Sequence, residues 1–204
     1  MTFEESDLQF HFLPAYWRVK KYDTHRYFKI LSGAGLKGVD FLGILQEKEV
    51  IFFEVKNYRT HHPTKPPSYL IFEDTEAFIN RITNKLKDTL QAINIIHLYL
   101  ERKWWFRWYL KWEQYLPNRI IQDRDWYFWY QVYKIGQHSH RRTLVLWLEI
   151  DHHYAPFSRV KLKALLDKAL EKELSSLVEA IEIADLDAPV FRQQLKVRKQ
   201  WNST

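Results

Sequence analysis

Residues 36–58 constrain this chain more than any other stretch. Two strand-like runs, Gly38–Leu45 and Val50–Tyr58, flank the polar tetrapeptide Gln46-Glu47-Lys48-Glu49. The second run is rich in β-branched and aromatic residues, and two such runs about a polar turn read as a β-hairpin. Alternation puts Phe52, Glu54 and Lys56 on one face of the second strand and Ile51, Phe53 and Val55 on the other. A glutamate and a lysine on an otherwise apolar strand cost free energy if they are buried with nothing to do. A turn centred on Glu47 sets Asp40 directly across from Glu54 on the same face, with Cβ atoms roughly 4.5–5.5 Å apart. Two carboxylates that close repel unless a cation lies between them or one holds a proton. Their oxygens suit Mg²⁺ or Mn²⁺, and the backbone carbonyl of Val55 supplies a third protein ligand. Lys56 stands two positions along the same face, where it would orient an attacking water or stabilise charge on a phosphate. Four of the five glycines (Gly33, Gly35, Gly38, Gly43) crowd around Asp40, as expected where a backbone must bend tightly or be closely approached.

Gly38-Val39-Asp40, a hairpin, and then Glu54-Val55-Lys56 resemble the signature of the PD-(D/E)XK nuclease superfamily. The resemblance implies a restriction-endonuclease-like fold, a four-stranded mixed sheet flanked by helices. It implies Asp40 and Glu54 as metal ligands and Lys56 as the catalytic lysine. The activity implied is that of a Mg²⁺-dependent (or Mn²⁺-dependent) endonuclease that hydrolyses phosphodiester bonds in nucleic acid, with DNA the expected substrate. Val39 replaces the proline of the family motif. A first helix bearing an extra acidic residue is not evident, so Asp23 or one of Glu4, Glu5 and Asp7 would have to supply that acid. Some members carry a lysine or glutamine on the helix after the motif, where Lys85, Lys87 and Gln91 are counterparts. Lys85 and Gln91 are therefore candidate nucleic-acid contacts. Lys37, which leads into the motif, and Asn57 and Arg59, which continue the Lys56 strand, join them.

The rest of the chain alternates helix and strand. Tyr22–Leu31 reads as a short helix with Asp23 or Thr24 as N-cap. His61–Ser68 is a polar, proline-rich loop. Asp74 or Thr75 caps a long helix whose stripe runs Ile79, Ile82, Leu86, Leu90, Ile93, His97 and Leu100. Asp125–Ile135 reads as an aromatic strand, Arg142–Ile150 as a buried central strand, and Val190–Lys199 as an edge strand. Pro156-Phe157-Ser158 opens a last helix with a stripe at Leu162, Leu166, Leu170, Leu174, Leu177 and Ile181. This succession predicts an α/β fold with a mixed sheet. All 204 residues are expected to form one nuclease-like domain, with 101–135 as an aromatic-rich elaboration.

Six of the nine tryptophans lie between Trp104 and Trp129. That segment reads in three ways: core of an insertion, a homo-oligomer interface, or a platform for stacking bases. Lys103, Arg107 and Lys111 edge it at four-residue spacing. A net charge of +6 is compatible with an anionic partner. A non-catalytic nucleic-acid-binding or homo-oligomeric module on the same scaffold is the alternative to the nuclease. His97 reads as a core histidine. His61-His62 and His152-His153 read as exposed polar residues, since adjacent strand histidines point to opposite faces. Cysteine is absent, which excludes disulfides and thiolate metal sites. No apolar run reaches the roughly 20 residues of a membrane helix, and the acidic start Met1–Asp7 shows no secretory signal, so a cytoplasmic location is expected.

Overall fold

The computed structural model describes residues 1–58, 74–115, 121–122, 124–150 and 159–199. The strands are β1 (Thr2–Glu5), β2 (Leu8–Phe12), β3 (Trp17–Lys21), β4 (Phe41–Leu45), β5 (Glu49–Tyr58), β6 (Arg142–Ile150), β7 (Ala180–Ala184) and β8 (Leu195–Lys199). The helices are α1 (Arg26–Ser32), α2 (Thr75–Glu101), α3 (Trp104–Trp112), α4 (Asp125–Ile135) and α5 (Arg159–Leu174), with the side chains of α5 described from Leu162.

Five strands form one mixed sheet in the order β3-β4-β5-β6-β7, and β1-β2-β8 form a separate antiparallel sheet. The first three strands of the larger sheet run antiparallel, while β5-β6 and β6-β7 are parallel. Strand alternation divides the core into two layers. Phe41, Ile51, Phe53, Val55, Val145 and Trp147 meet Leu8, Phe10 and Phe12 of the smaller sheet. Leu42, Ile44, Phe52, Leu144, Leu146 and Leu148 turn the other way, against α2, α4 and α5. Burial on both faces explains why β6 runs apolar without a break from Leu144 to Leu148.

The β4–β5 hairpin forms in the expected register, with Phe41 opposite Phe53 and Leu45 opposite Glu49. Gln46 and Glu47 both adopt positive φ to close it. Asp74 caps α2 through its carboxylate, which accepts from Ala77 N–H. Every residue of the expected α2 stripe is buried except Leu90, which is partly so.

Four expectations need correction. Residues 125–135 form a helix, not a strand: aromatic residues favour strands only where a pleated surface receives them, whereas this segment is apolar almost all round and sits as a buried helix. Its six buried residues, from Tyr127 to Ile135, pack in the helical layer, and Gly136 caps it with its N–H on Val132 C=O. The short helix starts later than expected, with His25 as N-cap, its Nδ1 accepting from Tyr27 N–H. The helix α5 ends at Leu174; Leu177 lies in a turn and Ile181 belongs to β7, which pairs with β6. The larger sheet has five strands rather than four, and the terminal edge strand β8 joins the smaller sheet. The expected opening at Pro156 and the histidine pairs at 61–62 and 152–153 lie outside the described residues.

The aromatic elaboration divides in two. Trp129 is 1% exposed and belongs to the core, whereas Trp104, Trp108 and Trp112 are 75%, 57% and 46% exposed. These three recur every fourth residue, so they form one row along the outer side of α3.

Candidate active site

The hairpin and α2 converge on four charged side chains. Asp40 immediately precedes β4. Its own N–H donates to Phe53 C=O at 2.9 Å, and its C=O accepts from Tyr22 N–H at 2.9 Å. The carboxylate Oδ2 of Asp40 accepts from Val55 N–H at 2.7 Å. Glu54 lies one position earlier on β5 and is fully buried, on the helical side of the sheet. From α2, the Lys85 ammonium reaches both Glu54 oxygens, at 2.7 and 3.0 Å. The same ammonium stands 3.5 Å from Asp40 Oδ1. Lys56 Nζ donates to Glu54 Oε1 and lies 3.4 Å from the Val55 carbonyl.

Backbone contacts hold the segment before Asp40 against α2. Val39 N–H donates to Thr89 Oγ1 at 3.1 Å, and the Thr89 hydroxyl donates to Lys85 C=O at 2.7 Å. Lys37 N–H donates to Asp88 Oδ2 at 2.9 Å. Lys85, Asp88 and Thr89 share one face of α2 by their three- and four-residue spacing. Gly38 lets the same segment pack closely on Tyr22 and Phe28, because a Cβ there would lie 2.6 Å from the Tyr22 ring and 2.9 Å from Phe28.

Burial pushes the Asp40 carboxyl up to about 6, and the Glu54 charge pushes the same way, against the pull of Lys85 and Lys56. Burial works against the Lys85 ammonium, but Glu54 and Asp40 outweigh it and hold it above its ordinary value. Burial also raises the Asp23 carboxyl, with Lys21 and Lys85 opposing. Asp23 therefore stands in the electrostatic neighbourhood of this cluster.

The sequence-predicted residues separate into groups. Asp40, Glu54, Lys56 and the Val55 backbone come together as expected. Lys85 joins them too, but as the ion-pair partner of both carboxylates rather than as an outward nucleic-acid contact. Asn57 is half-buried and donates to Ser6 C=O at 2.7 Å. Lys37 is exposed, and its described bond is made by its backbone. Gln91 is exposed on another face of α2, about 120° around the helix from Lys85. Arg59 lies outside the described residues. His97 is a core residue, as its place in the stripe suggests: its ring stacks on Tyr133 at 3.5 Å and its Nε2 meets Glu101 at 3.2 Å. Asp88 and Thr89 were not singled out in the sequence; their spacing from Lys85 is the signal that groups them.

The fit to a divalent cation rests on the donor set. Asp40, Glu54 and the Val55 carbonyl are hard oxygen donors of the kind Mg²⁺ and Mn²⁺ take. Among the described residues no three acidic or histidine side chains group as metal ligands, so the protein ligands would be the two carboxylates and the carbonyl.

Comparison with family models, with curated proteins and with solved structures finds no match for this chain.

Proposed function

We propose that the chain is a metal-dependent nuclease of the PD-(D/E)XK type, hydrolysing phosphodiester bonds in nucleic acid, DNA in the first instance. The observation that carries this reading is that Asp40 and Glu54, fourteen positions apart in sequence, turn their carboxylates onto one ammonium, with Lys56 beside them. The mixed sheet β3-β4-β5-β6 with helices on one face supports it. Asp40, Glu54 and the Val55 carbonyl would hold Mg²⁺ or Mn²⁺. Bound there, the ion supplies charge for the phosphate oxygens and a more acidic water. The chain's own residues do the rest. Lys56 Nζ, 23% exposed on its side chain, is the group able to orient a water or meet a developing negative charge. Lys85 holds the carboxylate pair together in the metal-free protein. Val55 N–H fixes Asp40 so that Oδ1 faces the cluster. Cleavage of plasmid, single-stranded and branched DNA with Mg²⁺ or Mn²⁺ tests the proposal. Lys56→Ala should lower the rate by about 10²–10⁴-fold; wild type and Lys56→Ala equally inert on every substrate would end the catalytic reading.

The exposed tryptophan row favours a second reading, a homo-oligomeric module on the same scaffold. Three indoles this exposed make a patch that commonly marks an interface. Sedimentation of wild type against a Trp104→Ser, Trp108→Ser variant decides it, since an oligomer built on this row would dissociate.

A further inference from the structure

Of the eleven large hydrophobic side chains that stand exposed among the described residues, seven fall between Ile95 and Tyr115. The exposed apolar surface is therefore concentrated at the end of α2 and along α3. Phe106 and Tyr109 are buried and anchor the inner side of α3, and Trp105 packs on Trp126 at 5.2 Å. The outer row stands on this anchored helix: Trp108 lies 6.0 Å from Trp112, and Trp112 5.9 Å from Tyr115. We infer that the row is a membrane-docking surface that lays α3 flat on a bilayer containing anionic lipid. This role is separate from the Asp40 cluster and does not depend on the nuclease reading.

Three observations name the occupant. The first is the sorting of charge. The two acids of this stretch are engaged by the protein itself: Glu101 meets His97 at 3.2 Å, and Glu113 accepts from Tyr130 at 2.7 Å and from Lys134 at 2.8 Å. Arg107 and Lys111, each one position before a tryptophan of the row, are exposed, and among the described residues neither meets a carboxylate. Indoles beside unpaired cations match the interfacial zone of an anionic bilayer. Tryptophan seats there at headgroup depth, and long basic side chains reach lipid phosphate while their stems stay on apolar surface. The second is the kind of apolar group. Leu98 and Tyr99 stand exposed on the last turn of α2, and Lys103 Nζ, at the start of α3, lies 4.6 Å from the Tyr99 ring. Acyl chains receive aliphatic side chains and rings alike, whereas a platform for unpaired bases uses rings. The third bears on a second copy of the chain. A twofold contact meets only what the patch itself carries, and both carboxylates of the patch are already taken, so Arg107 and Lys111 would find no partner there.

The measurement is co-sedimentation with vesicles of phosphatidylcholine alone, and of phosphatidylcholine with phosphatidylglycerol as about a third of the lipid, over a series of salt concentrations. Wild type should bind the anionic vesicles, less so at high salt, and lipid brominated in its acyl chains should quench the tryptophan fluorescence. The variant Trp104→Ser, Trp108→Ser, Trp112→Ser should lower binding by about tenfold or more and lose that quenching, whereas Trp104→Phe, Trp108→Phe, Trp112→Phe should keep the binding. Arg107→Gln, Lys111→Gln should weaken binding by about tenfold or more at low salt and flatten the salt dependence. All five side chains are exposed, so the thermal midpoint of each variant should match that of wild type. Failure of wild type to bind the anionic vesicles would overturn the inference. Binding that the serine variant keeps, or that is as tight to neutral vesicles as to anionic ones, would overturn it too. An oligomer that the serine variant dissociates, or a single-stranded oligonucleotide held by the same indoles, in a protein that ignores vesicles would overturn it and assign the row to a second copy or to nucleic acid.

Discussion

Asp125 and Asp40 are both carboxylates held by lysine, and their affinities for a proton move in opposite directions. Asp125 keeps contact with water, its side chain 28% exposed, and meets Lys20, His25 and Arg26 within 3.0 Å. Burial pushes its pKa up, but the hydrogen bonds and charges of His25 and Lys20 outweigh that and hold it well below the usual carboxylate range. Asp40 is buried and shares its two lysines with a second carboxylate, Glu54; burial and that neighbour together push it up to about 6. One cluster therefore has cations in surplus and is satisfied as it stands. The other has two carboxylates for two ammoniums, and its burial favours a proton on Asp40.

The comparison breaks first, and by the largest margin, at Glu54. Glu54→Ala leaves Lys85 and Lys56 without their shared partner beside a buried strand. Breaking a buried ion pair from one side costs about 3–5 kcal/mol. Urea denaturation in metal-free buffer should show that loss; a cost no greater than that of Asp125→Ala would erase the distinction between the clusters. Asp40→Asn should move the other way. The folded protein binds an extra proton on Asp40 between the ordinary carboxylate value and about 6. In metal-free buffer, stability therefore falls as pH rises through that window and stays lower above it. Replacing the charge by an amide, which still accepts from Val55 N–H, should recover up to about 3 kcal/mol at pH 8. Mg²⁺ should raise the thermal midpoint of wild type and leave that of Asp40→Asn unmoved. A destabilised Asn variant would show that Asp40 carries no electrostatic cost.

The site's hairpin was legible because a strand's period is two residues: once the turn centre is placed on Glu47, the faces of Asp40, Glu54 and Lys56 follow. What α2 brings to them was not. Lys85 stands out as a basic residue on a 27-residue helix, but which turn of that helix docks on the hairpin is set by the bonds of Lys37 to Asp88 and of Val39 to Thr89. The three N-terminal strands left little trace. The β1–β2 turn uses Ser6 and Asp7, both with positive φ, without the glycine that usually announces such a turn. The strand β7 was hidden for a related reason: Leu177 and Ile181 fall on the helical spacing of Leu170 and Leu174, and five residues are too few to contradict it. The reading of α4 as a strand followed aromatic propensity alone, although Asp125 in its first turn and Gly136 just past its end are helix signals. A groove beside β3 brings Arg18 and Arg124 together across more than a hundred positions of sequence, a proximity that no local pattern encodes.

The smallest expected effect lies at Asp125, and it sharpens the contrast through its dependence on pH. The folded-state pKa of Asp125 is depressed, so its contribution to stability is present above the ordinary carboxylate value and is lost as pH falls below about 4. Asp125→Asn keeps one acceptor oxygen, enough for His25 and Lys20 on the Oδ1 side, and turns an amide N–H toward Arg26 while losing the charge. For a carboxylate this open to water, each ion pair is worth about 0.2–1 kcal/mol, so at pH 7 the loss should be about 1 kcal/mol, shrinking further in high salt. The variant and wild type should converge only as pH falls through the depressed folded value of Asp125, while for Asp40→Asn the gain vanishes at low pH because wild-type Asp40 is then protonated. Denaturation curves at pH 3, 5 and 8 therefore give differences of opposite sign for the two variants at pH 8, little difference for Asp40→Asn at pH 3, and for Asp125→Asn a loss that has begun to shrink by pH 3. The same sign for both at pH 8 would mean that one electrostatic regime governs both carboxylates.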